Sequence, residues 1–488
     1  MTERIFKAYT DANGIIQIQP QDAVTSPPAT SPVPIPPIST DPINAQWLGT
    51  NLGGVVDWQT DLPFTNHLRH RRPWALNGSY AVSIARDVDG NPTSLKAGET
   101  ANGYVFTTMR RPGIYILKYK GTKPSIVGAT EGNTTSASGL FSTAYTVPAS
   151  GNVSINVTAN DTKLISLVAS TDDETQEFHP DFVKRLGKYG VVRFMDWQQT
   201  NVLRTNLDAD FLDAAGSYAN YQEKGPYMGG SVPLPVMIRL ANKANVNPWF
   251  CIPVNADATY ITKFVQMVAA NLKSNLKAYF EHSNEVWNGQ FPQSAYMAGT
   301  STVWADRLYN HALRTSLITD TIRAVMPGRS YSVLGAWCVN SWWSGEMKRY
   351  LVEKKKTVPD FVAIGAYFGN DPQLNDSVNP VTEVDAKATL VKLTQLFADH
   401  QTAYGAGKVI AYEGGSHIMP GANTSKQAYM ESVYDALFSA WKAKTNGAVF
   451  CHFNHIGAYD YSGAWGEKET FDSAESPKSK SIGKILGR

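Results

Sequence analysis

From residue 171 onward, short apolar runs alternate with longer amphipathic stretches, and this alternation restricts the fold more than any other feature of the chain. The apolar runs cover residues 191–197, 248–253, 278–283, 331–337, 361–367, 409–412 and 448–453. Helix patterns lie between most of them. Ile261, Phe264, Val265, Val268 and Leu272 share one face of a 3.6-residue period, with Asp257 or Thr259 placed to cap it. Residues 389–397 and 428–441 behave similarly. Apolar strands separated by helices pair in parallel through right-handed crossovers. An earlier run, Leu52-Gly-Gly-Val-Val-Asp-Trp58, brings the strand count to eight. Eight such units close into a (β/α)8 barrel.

Residues 79–169 have another character. Thr- and Val-rich runs at 80–85, 104–109, 114–119, 153–157 and 164–168 alternate with period two. Turn signals such as Asp89-Gly-Asn-Pro92 and Ala149-Ser-Gly-Asn152 separate them. This is the pattern of an antiparallel β-sandwich. The expected fold is therefore α/β: a TIM barrel formed by 46–77 and 171–488, with a β-sandwich domain, 78–170, inserted after the first strand. Residues 1–45 read as a polar hairpin around Asp11-Ala-Asn-Gly14 followed by a Pro-rich, extended spacer at 26–37. Such a segment is either an attachment device or a disordered leader.

Several function classes drop out. A net charge of +2 provides no overall field to attract nucleic acid or an anionic membrane. No apolar run approaches the roughly 18 residues of a membrane span. The N-terminus has no apolar core of a secretory signal, which leaves cytoplasmic, particle-associated (phage) and non-classically exported locations open. Cys251, Cys338 and Cys451 go with barrel-strand runs; an odd number forms no disulfide framework, and their spacing fits no metal motif. His282, His417, His452 and His455 form no recognisable metal set, and no cofactor is expected. Nothing in the pattern sets an oligomeric state.

The chemistry sits at two strand ends. Lys277-Ala-Tyr-Phe-Glu-His-Ser-Asn-Glu-Val-Trp-Asn288 runs from an aromatic strand into Asn284-Glu285, with Trp287 just beyond. In Lys408-Val-Ile-Ala-Tyr-Glu-Gly-Gly415 an apolar run reaches Glu413, and the two glycines read as its end. Strand-end groups of a TIM barrel face one cleft. One strand-end Glu alone is more often structural; a pair on the fourth and seventh strands, across the barrel mouth, is what a retaining glycosidase needs, its carboxyl groups about 5 Å apart. A free Glu titrates near pH 4.3, so a general acid working near neutrality must be raised by burial or by a neighbouring anion. Glu285, beside Trp287, is the better acid/base and Glu413 the nucleophile. Arg193 on the second strand and Tyr367 ending the sixth are placed to keep Glu413 ionised.

Asn284-Glu285 and Glu413, with Phe194-Met-Asp-Trp197, Asn247-Pro-Trp249 and Glu281-His-Ser-Asn-Glu-Val-Trp-Asn288, resemble the clan A retaining glycoside hydrolases, and within them a less characterised subgroup with an inserted β-domain. The resemblance spans residues 47 to about 470. It implies acid/base Glu285, nucleophile Glu413, an Asn284 contact to the sugar 2-hydroxyl and a Tyr367 bond to the nucleophile. It also matches Arg193 to the clan's strand-two arginine. Where such relatives carry a histidine after Ile252-Pro253, this chain has Val254.

Tryptophans complete the pattern. Trp58, Trp197, Trp287, Trp337, Trp342, Trp343 and Trp465 fall at or beyond proposed strand ends, where aromatic faces stack on pyranose rings. Trp465 is the best platform candidate. Asp57 and Asp196, each preceding a Trp, either bond sugar hydroxyls or pair with the Arg-rich loop at 69–72. His417, close to Glu413 in sequence, is a cleft-lining candidate. The expected activity is retaining hydrolysis of β-glycosidic bonds in a poly- or oligosaccharide. The alternative is a non-catalytic glycan-binding or attachment protein, such as a phage or particle component; the presence of both glutamates argues against it.

Overall fold

A computed structural model describes residues 5–10, 16–21, 46–204, 225–228, 230–371, 373–461 and 463–488. Strands β1 (Ile5–Thr10) and β2 (Ile16–Gln21) pair antiparallel, as a hairpin around residues 11–14 requires. Both the turn itself and the Pro-rich spacer lie outside the described residues.

The barrel begins with β3 (Leu48–Asn51). Next in the chain come two four-stranded antiparallel sheets. One has the order β4 (Ala75–Leu76), β5 (Ala101–Phe106), β10 (Val153–Val157) and β7 (Ser125–Val127). The other has the order β11 (Lys163–Ala169), β6 (Gly113–Lys120), β9 (Leu140–Val147) and β8 (Thr130–Ala137). Alternate side chains of both, among them Val105, Val153 and Ile155 from the first and Leu117, Tyr145 and Leu167 from the second, form one buried cluster.

Three departures from the sequence reading have physical causes. The 80–85 run is not a strand; most of it is exposed and it has no ladder partner. Strands β7, β8 and β9 are absent from the sequence reading: β7 has three residues, β9 alternates with a threonine among its buried positions, and every residue of β8 is exposed, so hydrophobic patterning has nothing to report there. The first barrel strand ends at Asn51 rather than running over 52–58. Its ladder to the second strand stops at Asn51 opposite Arg193, and Leu52 makes the last bond, to the Arg193 carbonyl.

The chain then alternates. Helix α1 (Pro180–Leu186) precedes β12 (Val191–Arg193), and α2 (Leu234–Ala244) precedes β13 (Asn247–Ile252). Helix α3 (Ala258–Asn271) is capped by Asp257, whose carboxylate accepts from Tyr260 N at 2.7 Å, and leads to β14 (Ala278–His282). Helices α4 (Pro292–Ala298) and α5 (Asp306–Val325) precede β15 (Ser330–Ala336). Then come α6 (Trp342–Glu353), β16 (Phe361–Phe368), α7 (Glu383–Tyr404), β17 (Val409–Ser416), α8 (Ala422–Ser425), α9 (Met430–Thr445), β18 (Phe450–His452) and α10 (Pro477–Leu486). The eight parallel strands close in the order β12-β13-β14-β15-β16-β17-β18-β3, a (β/α)8 barrel. No described helix is long and apolar enough to cross a membrane.

Period two along each strand sorts side chains between two cores. Val191, Trp249, Cys251, Tyr279, Val333, Phe361, Ala363, Ile410 and Tyr412 fill the barrel interior. Val192, Phe250, Ile252, Phe280, Val362, Ile364 and Ala411 pack beneath the helices. The same alternation carries Asn51, Arg193, Glu281 and Tyr367 into the interior at the C-terminal ends of their strands, and it is there that the polar chemistry collects.

Candidate active site

Arg193 is the hub. It is fully buried on β12, and its guanidinium makes four side-chain contacts. Nε donates to Glu281 Oε2 at 2.9 Å, Nη1 to Glu413 Oε1 at 2.7 Å and to Asn51 Oδ1 at 3.1 Å, and Nη2 to Asn284 Oδ1 at 2.8 Å. The ring of Tyr412 lies 5.0 Å from its Cζ. A rigid, planar fork with five donors can hold two carboxylates and two amides at once, which a lysine cannot. The neighbouring acids hold Arg193 well above its ordinary range against the cost of burial.

Glu413 is held on both oxygens: Oε1 by Arg193 and Oε2 by the Tyr367 hydroxyl at 2.9 Å. One partner is a cation and the other a hydroxyl donor. Glu285 is treated differently. Its partners are neutral, Tyr412 hydroxyl at 3.0 Å on Oε1 and Asn288 Nδ2 at 3.0 Å on Oε2. Burial first, and then the charge of Glu413, push Glu285 up to about 7. The two phenols are pushed above their usual range by burial and by these acids, so both stay protonated donors. One carboxyl group thus sits against a cation, and a second is poised to carry a proton near neutral pH.

A fold device brings Tyr412 and Glu413 to the same side. Adjacent strand residues normally face opposite ways, yet both point into the site. In the ladder between β16 and β17, Ile364 pairs with Ala411 and Gly365 with Glu413, so Tyr412 is the extra residue of a β-bulge. Gly365 opposite it leaves the room: a Cβ there would lie 2.9 Å from the Tyr412 hydroxyl. The glycines after Glu413 do not end the strand as the sequence reading has it. They continue β17 to Ser416, because a side chain at Gly414 would meet Phe450 at 2.4 Å and the Ala366 carbonyl at 2.7 Å. On β14's side, Ser283 and Glu285 adopt φ of 60° and 42°, left-handed values that non-glycine residues seldom take and that cluster at functional sites.

The other residues picked from the sequence divide into three groups. Asn284 lies within the Arg193 network, its Nδ2 donating to Asn201 at 2.9 Å. Asp196 sits beyond β12; burial, and after it Glu413, push it up to about 7, while Arg193 opposes them. Trp287 and Trp337 stack at 5.6 Å with rings 13° apart and line, with Glu285, Tyr367 and Tyr412, a cavity of about 460 Å³. Around Tyr367, His417, Trp465 and Phe453 form a second aromatic group, with His417 6.2 Å from Trp465 and 5.6 Å from Tyr367. Burial lowers His417 below its usual value.

Trp197 does not belong in the cleft. It is 2% exposed, stacked on Phe64 at 5.5 Å, packed on Phe194 and bonded through its indole N–H to the Gly53 carbonyl, so no face is left for a sugar. Asp57 takes the ion-pair reading instead of the sugar one: Arg72 approaches it at 2.9 and 3.1 Å, and Thr107 at 3.1 Å. Trp58 is half exposed, with the Arg72 guanidinium 5.6 Å from its ring.

The sequence reading overlooked Asn51, Glu281 and Tyr412. Glu281 is buried, accepts from Arg193 and from Trp249 Nε1 at 2.9 Å, and is raised by burial while Arg193 draws it down. Its signal was present: it shares parity with Tyr279 on an apolar strand, and a charge inside a barrel requires a charged partner. The histidines have separate partners, His282 with His311 at 2.8 Å, His452 with Tyr434 and His455 with Asp61 at 2.8 Å. The three cysteines are buried and free.

The sequence matches no protein-family model and no curated protein. Solved structures share the outline weakly. The GH51 arabinofuranosidase from Xanthomonas axonopodis pv. citri is 13% identical, with a TM-score of 0.39 over 60% of this chain and 62% of that one, so the match spans about three fifths of that enzyme's length. A CBM22-GH10 endo-1,4-β-D-xylanase from Clostridium thermocellum gives 12%, 0.36, 88% and 98% in the same order. The GH39 β-xylosidase from Caulobacter crescentus gives 12%, 0.40, 63% and 68%. Likeness of this degree does not bear on which bond this chain acts upon.

Proposed function

We propose that the chain is a retaining glycoside hydrolase acting on β-linked glycans. Glu285 protonates the departing oxygen while Glu413 attacks the anomeric carbon; water then enters from the acid side, Glu285 takes its proton, and the glycosyl–Glu413 bond breaks. The observation carrying this reading is the unlike treatment of two strand-end carboxyl groups. Glu413 is paired with the Arg193 guanidinium on one oxygen and accepts from the Tyr367 hydroxyl on the other. Glu285, held by neutral donors only, is raised to about 7 by burial and by Glu413. Asn284, fixed by Arg193, is the group for the sugar hydroxyl next to the reacting carbon. Trp465 and His417 supply the ring-stacking wall on the Glu413 side.

The test is replacement of Glu413 by Gln, which keeps volume and removes the nucleophile. Turnover of β-glycosides should vanish with the circular dichroism spectrum unchanged. Full activity in that variant would sink the assignment, and binding of glycans by the wild type without any release of reducing ends would favour a lectin-like role.

A further inference from the structure

The geometry points to a tryptophan track on the proton-donor side of the cleft that binds several consecutive sugars of a neutral β-linked polymer. Five indoles follow one another in contact from the site to the surface. Trp287 stacks on Trp337, Trp337 lies 6.2 Å from Trp304, Trp304 5.1 Å from Trp343, and Trp343 4.7 Å from Trp342. They differ in exposure. Trp343 is buried and Trp304 half-buried, serving as props. Trp287 and Trp337 line the cavity that also contains Glu285. Val339, on the same cavity wall, is half exposed, and three residues on, Trp342 is 59% exposed.

Packing alone accounts for the props but not for the outer ring. A large aromatic left in water at the end of a continuous indole chain, beside an exposed valine, is an apolar strip that leads out of the candidate active site. The indole N–H of Trp287 is buried without a hydrogen-bond partner, a donor awaiting an acceptor next to the cavity. The cavity, about 460 Å³, falls within the range of small-molecule sites, roughly 300–1,000 Å³. Residues of α7 form one of its walls, Asp385 and Lys392 among them, and Asp371 comes from the segment after β16; Lys392 is the one cation among the described lining residues. Asp371 and Asp385 outnumber Lys392, so this wall gives a polyanion no net attraction. Flat apolar faces flanked by acids suit uncharged pyranoses, stacked by their C–H faces.

Naming this the leaving-group side rests on Glu285 as proton donor; the binding surface does not. The two are separated by measuring binding and cleavage apart. Native gels containing a hydroxyethyl β-glucan, a galactomannan or a xylan should retard the wild-type protein in at least one case, and alginate, a polyuronate, should not. Trp342→Ala, at an exposed position where the fold loses little, should abolish the retardation with an unchanged melting temperature, and Trp342→Phe should keep most of it. Glu285→Gln should be retarded like the wild type. On whichever polymer is hydrolysed, Trp342→Ala should raise KM about ten- to a hundredfold, as expected for losing the burial of one aromatic face, with an aryl β-glycoside cut at the normal rate. Wild-type retardation by none of the neutral polymers, stronger retardation by alginate, or unaltered retardation of Trp342→Ala each overturns the proposal. A retarded but inactive wild type leaves the track standing and removes the hydrolase reading.

Discussion

Arg193 shows how much one side chain decides. It neutralises Glu281 and Glu413 and orients Asn284, and it is entirely enclosed. Removing one partner of a buried ion cluster strands the others without compensation, so Arg193→Ala should destabilise by about 3–5 kcal/mol. The measurement is a denaturant titration beside the wild type. Arg193→Lys keeps the charge and loses the fork. It should cost less stability while lowering kcat by about a hundredfold, because the two carboxyl groups and Asn284 are no longer held in one geometry. Equal kcat in the lysine variant would mean that charge, not orientation, is what Arg193 contributes. Glu285 sets the companion expectation for pH. As a general acid raised to about 7, it should give kcat/KM an alkaline limb that falls through that pH, and this limb should disappear in a Glu285→Gln background rescued by a substrate whose leaving group needs no proton.

At the scale of elements, the decisive object is the bulge in β17. A regular strand would send Tyr412 and Glu413 to opposite sides, and the hydroxyl that holds Glu285 would lose either its register or its partner. Gly365→Ala tests this directly. The added methyl would lie 2.9 Å from the Tyr412 hydroxyl on an interior already filled, so the phenol must move off Glu285. Overpacking of this kind costs about 1–3 kcal/mol, and activity should fall further than stability does. A crystal structure of the variant with Tyr412 unmoved and activity unchanged would refute the role given to the bulge. Bulges leave little trace in a sequence, and this one hides behind residues that read well as an ordinary strand end. The Gly414-Gly415 pair misled for the same reason: in isolation glycines end strands, whereas here close approach of Phe450 and the Ala366 carbonyl requires them inside one. The strand-and-helix alternation was legible because a parallel barrel buries both faces of every strand. The all-exposed β8 was not, since nothing apolar marks it.

Across the whole molecule, the site makes folding dependent on pH. Glu285 and Asp196 both rise to about 7 from ordinary values of 4.5 and 3.8. Between those values and about pH 7 these two groups hold more protons in the folded chain than in the unfolded one, so their contribution to stability falls as pH climbs through that window and is level above it. Glu285→Gln removes its share of the penalty. It should raise stability by at most about 3 kcal/mol at pH 8 and hardly at all at pH 4, read as melting temperature across pH. A constant difference at every pH would show that Glu285 is not raised. The cluster around Glu467 acts oppositely: Arg488 and Arg185 hold this buried carboxylate low, and the stability it brings is present above pH 4.5 and lost as pH falls from there to about 2. What the sequence determined by itself is the barrel and the two strand-end glutamates, because apolar periodicity and strand-end position are local properties of the chain. What only the tertiary structure decided is which polar groups meet. Glu281 and Asn51 converge on Arg193, Tyr412 is turned onto Glu285, Asp57 is taken by Arg72 and Trp197 is enclosed, since each depends on a partner 15 to 142 residues away whose distance no local pattern encodes.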